Sequence, residues 1–321
     1  MSRSSAADPS ALVAKARGGD ARAVARLISL VEDQSPVLGE LARQLAPFTG
    51  HAHVVGLTGA PGVGKSTTTS ALVTVLRASG RRVGVLAVDP SSPFTGGALL
   101  GDRVRMQEHA TDSGVFIRSM ATRGHLGGLA AAAPQAVRVL DAAGCDVVLI
   151  ETVGVGQSEV EVAGLADTTV VLLAPGMGDA IQAAKAGILE IGNVYCVNKA
   201  DRDGADVTAR ELRTMLAIGR NVEGDAAPQW RPPILKTIAS RSEGIDELLA
   251  EIDRHRAFLV DHDELDHRRR LRAKAEIEAL VVADVRARLI HGDSAGALDQ
   301  LAAAVVSGAT DPYSAAAILS P

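Results

Sequence analysis

Short apolar runs alternate with longer amphipathic stretches through the middle of the chain. The runs that predict β-strands are His53–Thr58, Arg82–Val88, Val115–Arg118, Asp146–Glu151, Thr168–Ala174, Val194–Asn198 and Pro233–Ile238. Apolar residues at helical spacing predict helices between them, at Lys65–Ser79, Gly127–Ala143, Ala180–Glu190 and Asp206–Gly219. Continuous apolar strands that alternate with helices are typical of an α/β fold, with a mostly parallel sheet covered by helices on both faces.

The segments on either side of this alternation have a different pattern. Residues 9–46 carry apolar side chains at helical spacing and predict a small helical extension. His267–Ile290 predicts one long charged helix, which two shorter Ala-rich helices follow. A long amphipathic helix outside a complete α/β domain often packs against a partner. We therefore divide the chain into an N-terminal helical extension (1–48), an α/β domain (49–260) and a C-terminal helical region (261–321).

Composition and charge narrow the functional classes. Aromatic residues make up only 2% of the chain and apolar residues 47%, so the core must be built from aliphatic side chains. The net charge of -5 argues against nucleic-acid binding, which usually needs a basic surface. The polar start, Met1–Ser10, and the absence of a long apolar run predict a cytoplasmic protein with no membrane role. Cys145 and Cys196 lie beside or within apolar runs and are expected to be buried, reduced thiols.

A candidate phosphate-binding loop follows the first apolar run. It fits the pattern G-x-x-x-x-G-K-[ST] and reads Gly59, Ala60, Pro61, Gly62, Val63, Gly64, Lys65, Ser66. Glycines let successive backbone N–H groups turn toward phosphate oxygens, and the helix that follows favours negative charge at its N-terminus. We expect Lys65 to reach the β and γ phosphates and Ser66 to bind Mg²⁺. The strand before the loop and the helix after it argue against an ordinary glycine turn.

A candidate guanine-binding motif of the form N-K-x-D follows the sixth apolar run. It consists of Asn198, Lys199, Ala200 and Asp201. The Asp201 carboxylate can accept hydrogen bonds from N1–H and the exocyclic amine of guanine, whereas adenine would leave that carboxylate unpaired. We expect Lys199 to lie over the base and Asn198 to tie this loop to the phosphate loop. The four residues alone would also fit a polar turn, but their position after a strand and a phosphate loop favours guanine binding.

A third base-contacting loop is expected after the last strand, at Ile238, Ala239 and Ser240. There the backbone N–H of Ala239 is expected to donate to guanine O6. GTPases often carry Ser-Ala at this point, whereas this chain has Ile238 before Ala239. That difference leaves the roles of individual side chains in this loop open, but it does not affect the expectation that backbone N–H groups of the loop donate to the base.

Carboxylates at the ends of neighbouring strands predict a Mg²⁺ site. Glu151 begins the sequence E-x-x-G, where GTPases commonly have D-x-x-G, and is expected to hold Mg²⁺ through a water, with the N–H of Gly154 meeting the γ-phosphate. Asp89 and Asp102 are further candidates, although a turn cap and a helix cap would also explain them. Mg²⁺ bound with phosphates keeps several waters, so not every acid need be a direct ligand. The water-positioning Gln usual after Gly154 is absent, and Gln157 lies three residues on, so slow intrinsic hydrolysis is expected.

Together these motifs resemble the MeaB/ArgK family of GTPases, the methylmalonyl-CoA mutase-associated G proteins. The segments that carry the resemblance are Gly59–Thr67, Val88–Phe94, Gly101–Met106, Glu151–Glu159, Asn198–Asp201 and Pro175–Lys185. The resemblance adds Thr67 to the expected nucleotide contacts, and Asp102 and Gln157, with Lys65 and Glu151, to the expected catalytic residues.

This resemblance implies a GTP-dependent chaperone of the adenosylcobalamin-dependent methylmalonyl-CoA mutase, which gates cofactor loading and protects the mutase. It also implies a homodimer joined through a C-terminal helical arm, and switches at Val153–Glu159 and Pro175–Lys185. The cobalamin motif D-x-H-x-x-G is absent, so we expect any cobalamin to be bound by the mutase and none by this chain.

Two other functions are compatible with parts of the sequence. Some relatives in the family were described as kinases that act on periplasmic amino-acid-binding proteins, but Asn198–Asp201 favours guanine and no H-R-D-type catalytic loop is found. An assembly factor for another metalloenzyme would be expected to carry a Cys or His cluster. His262 and His267 are the nearest approach to one, and the solvated face of a helix is the simpler interpretation of both.

Overall fold

The computed structural model describes residues 8–90, 106–122, 128–152, 163–176, 190–219, 229–291 and 295–319. The chain divides into two compact units, Met1–Arg269 and Arg270–Pro321. The strands are β1 (His53–Thr58), β2 (Val83–Pro90), β3 (Val115–Thr122), β4 (Val147–Thr152), β5 (Thr168–Leu173), β6 (Val194–Asn198) and β7 (Ile234–Thr237).

These strands form one parallel sheet in the order β3-β2-β4-β1-β5-β6-β7. The predicted α/β class and the parallel sheet are therefore confirmed. Because all strands run the same way, their carboxyl ends meet at one edge. β1 lies at the centre, between β4 and β5. Strands β2 to β4 lie on one side of it and strands β5 to β7 on the other, so the direction in which the sheet grows reverses at β1. In open α/β sheets, ligands bind outside the carboxyl ends of the strands at such a switch point.

The described helices surround this sheet and continue beyond it. They are α1 (Pro9–Arg17), α2 (Ala21–Glu32), α3 (Leu38–Leu45), α4 (Lys65–Ala78), α5 (Gly128–Ala142), α6 (Ala205–Gly219), α7 (Ile245–Asp261), α8 (Glu264–His291), α9 (Ala295–Val306) and α10 (Pro312–Leu319). The apolar pattern predicted no element at residues 245–261, where α7 lies. The helix expected at Ala180–Glu190 falls, except for its last residue, outside the described residues.

Side chains of the central strands alternate between two apolar cores. Val54 and Val148 face a core shared with α2 and α5, whereas Val55 and Leu149 face a core shared with α4 and α7. This alternation is the period of two expected of a strand. It confirms that helices cover both faces, and it explains why the strands are apolar almost throughout.

The amino-end edge of the sheet carries a buried hydrogen-bonded network. His53 begins β1 and Thr168 begins β5, and the Thr168 hydroxyl lies 2.8 Å from His53 Nε2 and 2.8 Å from His255 Nδ1. All three side chains are buried. Burial away from water lowers the pKa of His53 to about 4 and that of His255 to about 3.

A buried ion pair lies at the same edge. The Asp167 carboxylate, 0% exposed, accepts from Arg269 Nη2 at 2.7 Å and from the backbone N–H of Val54 at 3.1 Å. Arg269 also donates to the carbonyl oxygens of Gly50, at 2.5 Å, and Ala52, at 2.9 Å. One guanidinium therefore joins α8 to the segment that leads into β1 and to the start of β5.

The single tryptophan of the chain, Trp230, precedes β7. Its indole N–H donates to the carbonyl oxygen of Asn193 at 2.7 Å. Its ring centroid lies 4.8 Å from that of His255 and 5.4 Å from that of Phe258, both on α7. Since Asn193 directly precedes β6, the indole is fixed at the amino end of that strand.

The second unit, Arg270–Pro321, is helical and exposes large apolar side chains. Their exposed fractions run from 40% at Leu298 to 89% at Val306. The residues are Leu271, Ile277, Leu280, Val281, Val282, Leu298, Val306, Tyr313 and Ile318. Among the described residues of the whole chain, no helix is both long enough and apolar enough to cross a membrane.

Candidate nucleotide-binding site

The phosphate-loop sequence connects β1 to α4 at the centre of the sheet's carboxyl edge. Gly59 has φ +142° and Gly64 has φ +101°, backbone conformations that residues other than glycine rarely adopt. A Cβ atom on Gly59 would fall against the carbonyl of Leu172, and one on Gly64 against the side-chain amide of Asn198. Both positions therefore require glycine for conformation and for space.

Lys65 is the first residue of α4, and its side chain folds back over the loop. It is only 7% exposed, and its ammonium group donates to the carbonyl oxygens of Gly59 at 2.5 Å and Ala60 at 3.1 Å. A buried ammonium held inside a curved, glycine-containing loop at a helix N-terminus is suited to binding a phosphate group. Ser66 follows at the same helix end and is partly buried.

Asn198, the last residue of β6, joins three loops. Its amide Nδ2 donates to the carbonyl oxygen of Val63 at 2.8 Å, the link expected between the N-K-x-D segment and the phosphate loop. Its Oδ1 accepts from the backbone N–H of Ala239 at 3.1 Å and from the hydroxyl of Thr237 at 3.2 Å. The segments after β1, β6 and β7 are thus held together through one buried amide group.

The contact to Ala239 bears on one expectation. The Ala239 N–H, which we expect to donate to guanine O6, donates to Asn198 Oδ1 in this structure. A backbone N–H carries one hydrogen, so the same group is not available to a base while this bond is formed. The next amide along the loop belongs to Ser240, which is exposed. Sequence alone gave no sign of this, because the bond joins the end of β6 to the loop after β7, and the two residues are 41 positions apart in the chain.

The other two fixed residues of the N-K-x-D motif, Lys199 and Asp201, are less buried than Asn198, and Lys199 is partly buried. Lys199 adopts a left-handed conformation with φ 60°, and its ammonium group donates to the carbonyl oxygen of Gly62 at 2.6 Å. Asp201 is exposed. The backbone turn at Lys199 therefore sets its side chain along the phosphate loop and leaves the carboxylate of Asp201 open to solvent, where a base can reach it.

Glu151 lies in β4 between two neighbouring strands, in register with Leu57 of β1 and Ala87 of β2. Its side chain is 2% exposed, and its Oε2 atom lies 2.5 Å from the hydroxyl of Thr69 on α4. The E-x-x-G motif predicted Glu151 as a metal-binding residue, whereas no motif pointed to Thr69. The one feature of the sequence that could have pointed to Thr69 is its spacing. It lies three residues after Ser66 and is therefore on the same side of the helix.

The next residue of α4, Ser70, holds a different segment. Its hydroxyl donates to the carboxylate of Glu108 and lies 3.1 Å from Nε2 of His109. Glu108 and His109 belong to a short 3₁₀ turn, Gln107–His109, that precedes β3. Consecutive side chains of one helix thus anchor β4 and the segment before β3. Neither Ser70 nor this turn was predicted to belong to the site.

Several predicted site residues lie outside the described residues. These are Asp102, Gly154, Gln157 and the segment 177–185. Asp89 lies in β2, in register with Ala121 of β3, and the position of its side chain is not described. Within the described ranges, no group of three or more His, Cys, Asp or Glu side chains is arranged to hold a metal ion.

Both cysteines are free and buried, as predicted. Burial raises the pKa of the Cys145 thiol to about 12 and that of Cys196 to about 11. The thiol of Cys196 lies 3.0 Å from the hydroxyl of Thr237, which itself donates to Asn198. Neither thiol is suited to nucleophilic chemistry, because the reactive thiolate is disfavoured at neutral pH.

Comparison with known proteins identifies relatives across most of the chain. Residues 24–294 match the family described as methylmalonyl Co-A mutase-associated GTPase MeaB. A Pyrococcus abyssi protein, named provisionally as a GTPase, is 48% identical over 307 residues, which cover 95% of this chain and 94% of that protein. A mouse protein named methylmalonic aciduria type A homolog, mitochondrial, is 35% identical over 295 residues, which cover 92% of this chain and 69% of that protein.

A solved structure agrees with these relatives. The crystal structure named LAO/AO transport system kinase aligns with a TM-score of 0.72 and 27% sequence identity, covering 99% of this chain and 98% of that one. The likeness in sequence and in fold therefore extends over most of the chain. The chain belongs to the MeaB family of methylmalonyl-CoA mutase-associated GTPases.

Proposed function

We propose that this chain binds GTP and GDP together with Mg²⁺ and hydrolyses GTP to GDP and phosphate. The observation that carries this proposal is the position of Asn198, which hydrogen-bonds to Val63 of the phosphate loop and to Ala239 of the loop after β7. This contact fixes the phosphate loop next to the N-K-x-D segment, so one nucleotide can reach both. Family membership supports the same activity.

The guanine base is proposed to bind against Lys199 and Asp201. The exposed Asp201 carboxylate accepts from N1–H and the exocyclic amine, and the backbone N–H of Ser240, next to the engaged Ala239, donates to O6. Ile238 and Ala239 then shape the loop. Adenine would leave the carboxylate without donors, which is the physical basis of discrimination.

The residues present fit a magnesium ion. Glu151 supplies a buried carboxylate beside the first turns of α4, which also carries Ser66, and oxygen ligands of this kind suit Mg²⁺. We propose that Ser66 and Glu151 hold the ion, with Asp89 and Asp102 as further candidates. When bound, Mg²⁺ neutralises charge on the phosphates. Lys65 contributes a second positive charge, and the loop N–H groups orient the phosphates.

The nucleotide specificity is tested by titration calorimetry with Mg²⁺ present. We expect GTP to bind at least about a hundredfold more tightly than ATP, in line with sites that hydrogen-bond a specific base edge. Phosphate release with and without Mg²⁺ tests hydrolysis in the same preparation. Equal affinities for ATP and GTP would reject guanine specificity, and turnover without any divalent ion would reject the metal assignment.

The GTPase is further proposed to act as a chaperone of adenosylcobalamin-dependent methylmalonyl-CoA mutase. The description of the family and the name of the mouse relative support this partner. A γ-phosphate can order glycine-rich switch loops, and a partner that prefers the ordered loops must alter nucleotide affinity or turnover. Cobalamin, in this proposal, is bound by the mutase.

The mutase assignment is tested by phosphate release at saturating GTP, with and without the mutase from the same cell. We expect an acceleration of at least severalfold. The residues Gln182 and Lys185, in the second expected switch, are proposed to transmit it. An unchanged rate, with no complex on size-exclusion chromatography in GDP or in a non-hydrolysable GTP analogue, would reject this partner and leave the GTPase proposal intact.

A homodimer joined through the C-terminal helical region is also proposed. Ile277, Leu280 and Val281 lie three and four residues apart on α8, so they share one face of the helix. Their exposed fractions are 62%, 53% and 58%. A contiguous apolar stripe of this kind on a helix is typical of an interface.

A kinase linked to amino-acid transport is the second candidate, because the aligned crystal structure bears the name of a transport system kinase. Incubation with radiolabelled GTP or ATP and a periplasmic amino-acid-binding protein distinguishes the two activities. Stable label on the binding protein would favour the kinase, whereas release of free phosphate alone favours the hydrolase.

A further inference from the structure

Thr69 occupies a buried position one turn into α4. Its side chain is 0% exposed, and its hydroxyl lies 2.5 Å from Glu151 Oε2 and 3.0 Å from the carbonyl oxygen of Lys65. A hydroxyl has one proton to donate, and a carboxylate oxygen is a stronger acceptor than a backbone carbonyl. The proton therefore points at Glu151.

This bond fixes the direction of a carboxylate that has little room to move. Glu151 is 2% exposed and lies between β1 and β2 in the interior of the sheet. The terminal torsion of a glutamate side chain is intrinsically broad, so the carboxylate plane must be set by its neighbours. Holding Oε2 from α4 gives the second oxygen, Oε1, a defined direction.

The same helix carries both expected metal-binding groups, one directly and one through a hydrogen bond. Ser66 and Thr69 are three residues apart and lie on the same side of α4. Ser66 is the expected ligand from the phosphate loop, and Thr69 holds Glu151. The rigid first turns of α4 thereby set the separation between the serine hydroxyl and the carboxylate.

We propose that Thr69 is a positioning residue of the metal site, which orients Glu151 for binding Mg²⁺ or a water on that ion. This inference rests on the proposed Mg²⁺-dependent GTPase function. Groups that hydrogen-bond to metal-binding side chains commonly change metal affinity by about 10- to 100-fold when they are removed. Thr69 touches neither the nucleotide nor the ion in this proposal and acts through Glu151.

The neighbouring Thr68 provides a matched control. It is also 0% exposed, and its hydroxyl lies 3.0 Å from the carbonyl oxygen of Gly64, the phosphate-loop residue that directly precedes the helix. That carbonyl also accepts the backbone N–H of Thr68 at 2.9 Å, so it keeps a partner when the hydroxyl is removed. Thr68→Val and Thr69→Val make the same chemical change at equal burial, and only the second removes a bond to Glu151.

The experiment measures Mn²⁺ affinity of the full-length protein bound to GDP, by electron paramagnetic resonance, and thermal unfolding of the same samples. The Mg²⁺ concentration for half-maximal GTP hydrolysis gives a second readout. We expect Thr69→Val to weaken Mn²⁺ binding about tenfold and to raise the Mg²⁺ requirement by a similar factor. Thr69→Ser, which restores the hydroxyl, and Thr68→Val are expected to stay within about twofold of the wild type.

Two outcomes would overturn the inference. One is wild-type Mn²⁺ affinity in Thr69→Val while Glu151→Gln binds the ion weakly, which leaves the proposed function standing. The other is equal weakening in Thr68→Val and Thr69→Val, which would mean that loss of either buried hydroxyl acts through general stability. A wild-type GDP complex that binds no Mn²⁺ would overturn this inference together with the metal part of the proposed function.

Discussion

The side-chain amide of Asn198 donates a hydrogen bond through its nitrogen and accepts two through its oxygen. Its contacts illustrate which site residues can be predicted from the sequence and which cannot. The phosphate loop follows a pattern in which each fixed position has a local reason, such as the left-handed conformation of Gly64 or the charge of Lys65. The engagement of Ala239 by Asn198 has no local signature, because it depends on how β6 and β7 pair. Thr69 was missed for the same reason, since its partner Glu151 is 82 residues away.

Base selection is argued at the scale of one residue, Asp201. In Asp201→Asn, the amide nitrogen becomes a donor where the carboxylate only accepted, so the exocyclic amine of guanine meets another donor while O2 of xanthine gains a partner. We expect GTP affinity to fall by about a hundredfold and preference to move toward xanthosine triphosphate. Competition binding between the two nucleotides measures the change.

Asp203→Asn is the matched control, because Asp203 is exposed on the same turn and outside the N-K-x-D motif. This variant is expected to bind GTP like the wild type. Retention of guanine preference in Asp201→Asn, or an equal loss in both variants, would contradict the role of Asp201.

At the scale of secondary-structure elements, apolar pattern predicted the strands well and missed one helix. β1 and β6 have the predicted bounds, and the other strands differ at their ends by a few residues. Helix α7 was missed although Ile245, Leu248 and Ile252 are buried at helical spacing. The helix was not recognised because polar residues lie between these positions and the pattern changes nearby, at Asp261. The structure shows that the apolar residues of α7 pack against α4.

The junction between α8 and the sheet depends on Arg269. In Arg269→Met, the 0% exposed Asp167 carboxylate loses this cation, and Gly50 and Ala52 lose a donor. Breaking a buried ion pair from one side commonly costs about 3–5 kcal/mol. Arg269 is partly exposed, so we expect a loss of about 2–3 kcal/mol in the free energy of unfolding, measured by urea denaturation.

The control for this prediction is Arg288→Met on the same helix. Arg288 pairs with Asp284 at 2.7 Å, but the two side chains are 71% and 67% exposed. Removing an exposed pair of this kind is expected to change stability by less than about 1 kcal/mol. Similar losses in the two variants would show that helix propensity, rather than the buried pair, accounts for the effect.

At the scale of the whole molecule, the two compact units differ in how many of their large apolar side chains are exposed. The unit Met1–Arg269 buries most of its aliphatic side chains, chiefly in the two large cores on the faces of the sheet, whereas Arg270–Pro321 exposes many of them. Sequence pattern indicated a long helix in the second unit. The partner of an exposed apolar face cannot be predicted from this pattern, because it also depends on the surface of the partner.

The proposed homodimer predicts a change of mass in solution. Replacing Ile277 and Val281 together by Glu places two charges in the proposed apolar stripe, so we expect the dimer to dissociate to monomers in sedimentation velocity. Val207→Glu alters an exposed apolar residue of α6, 47% exposed, and is expected to leave the dimer intact. A wild-type monomer, or a double variant that stays dimeric, would reject this interface.

Acid stability follows from the buried pair His53 and His255. Their folded-state pKa values, about 4 and about 3, lie below the ordinary value of 6.5. The unfolded chain therefore takes up protons on these rings as pH falls below about 6.5, while the folded protein does not. Stability is fully present above that pH and is expected to decline as pH falls toward 4 and then 3.

Urea denaturation between pH 7.5 and pH 4 measures this decline. In a variant with both histidines replaced by Gln, the free energy of unfolding is expected to depend less steeply on pH between 6.5 and 4, because the groups that titrate differently are gone. The variant starts from a lower stability at pH 7.5, since it repacks a buried network. An unchanged slope would assign the acid sensitivity to carboxylates.

The position of Trp230 has an optical consequence. The indole is hydrogen-bonded to Asn193 at the amino end of β6, and Asn198 lies at the other end of this five-residue strand, about 16 Å away. The chain has no second tryptophan, so the tryptophan emission of each chain comes from one position, on the edge opposite the nucleotide loops. A fluorescent guanine nucleotide bound at those loops becomes the acceptor of a single, built-in energy-transfer donor. Nucleotide exchange can then be followed in real time on the unlabelled, unmutated protein.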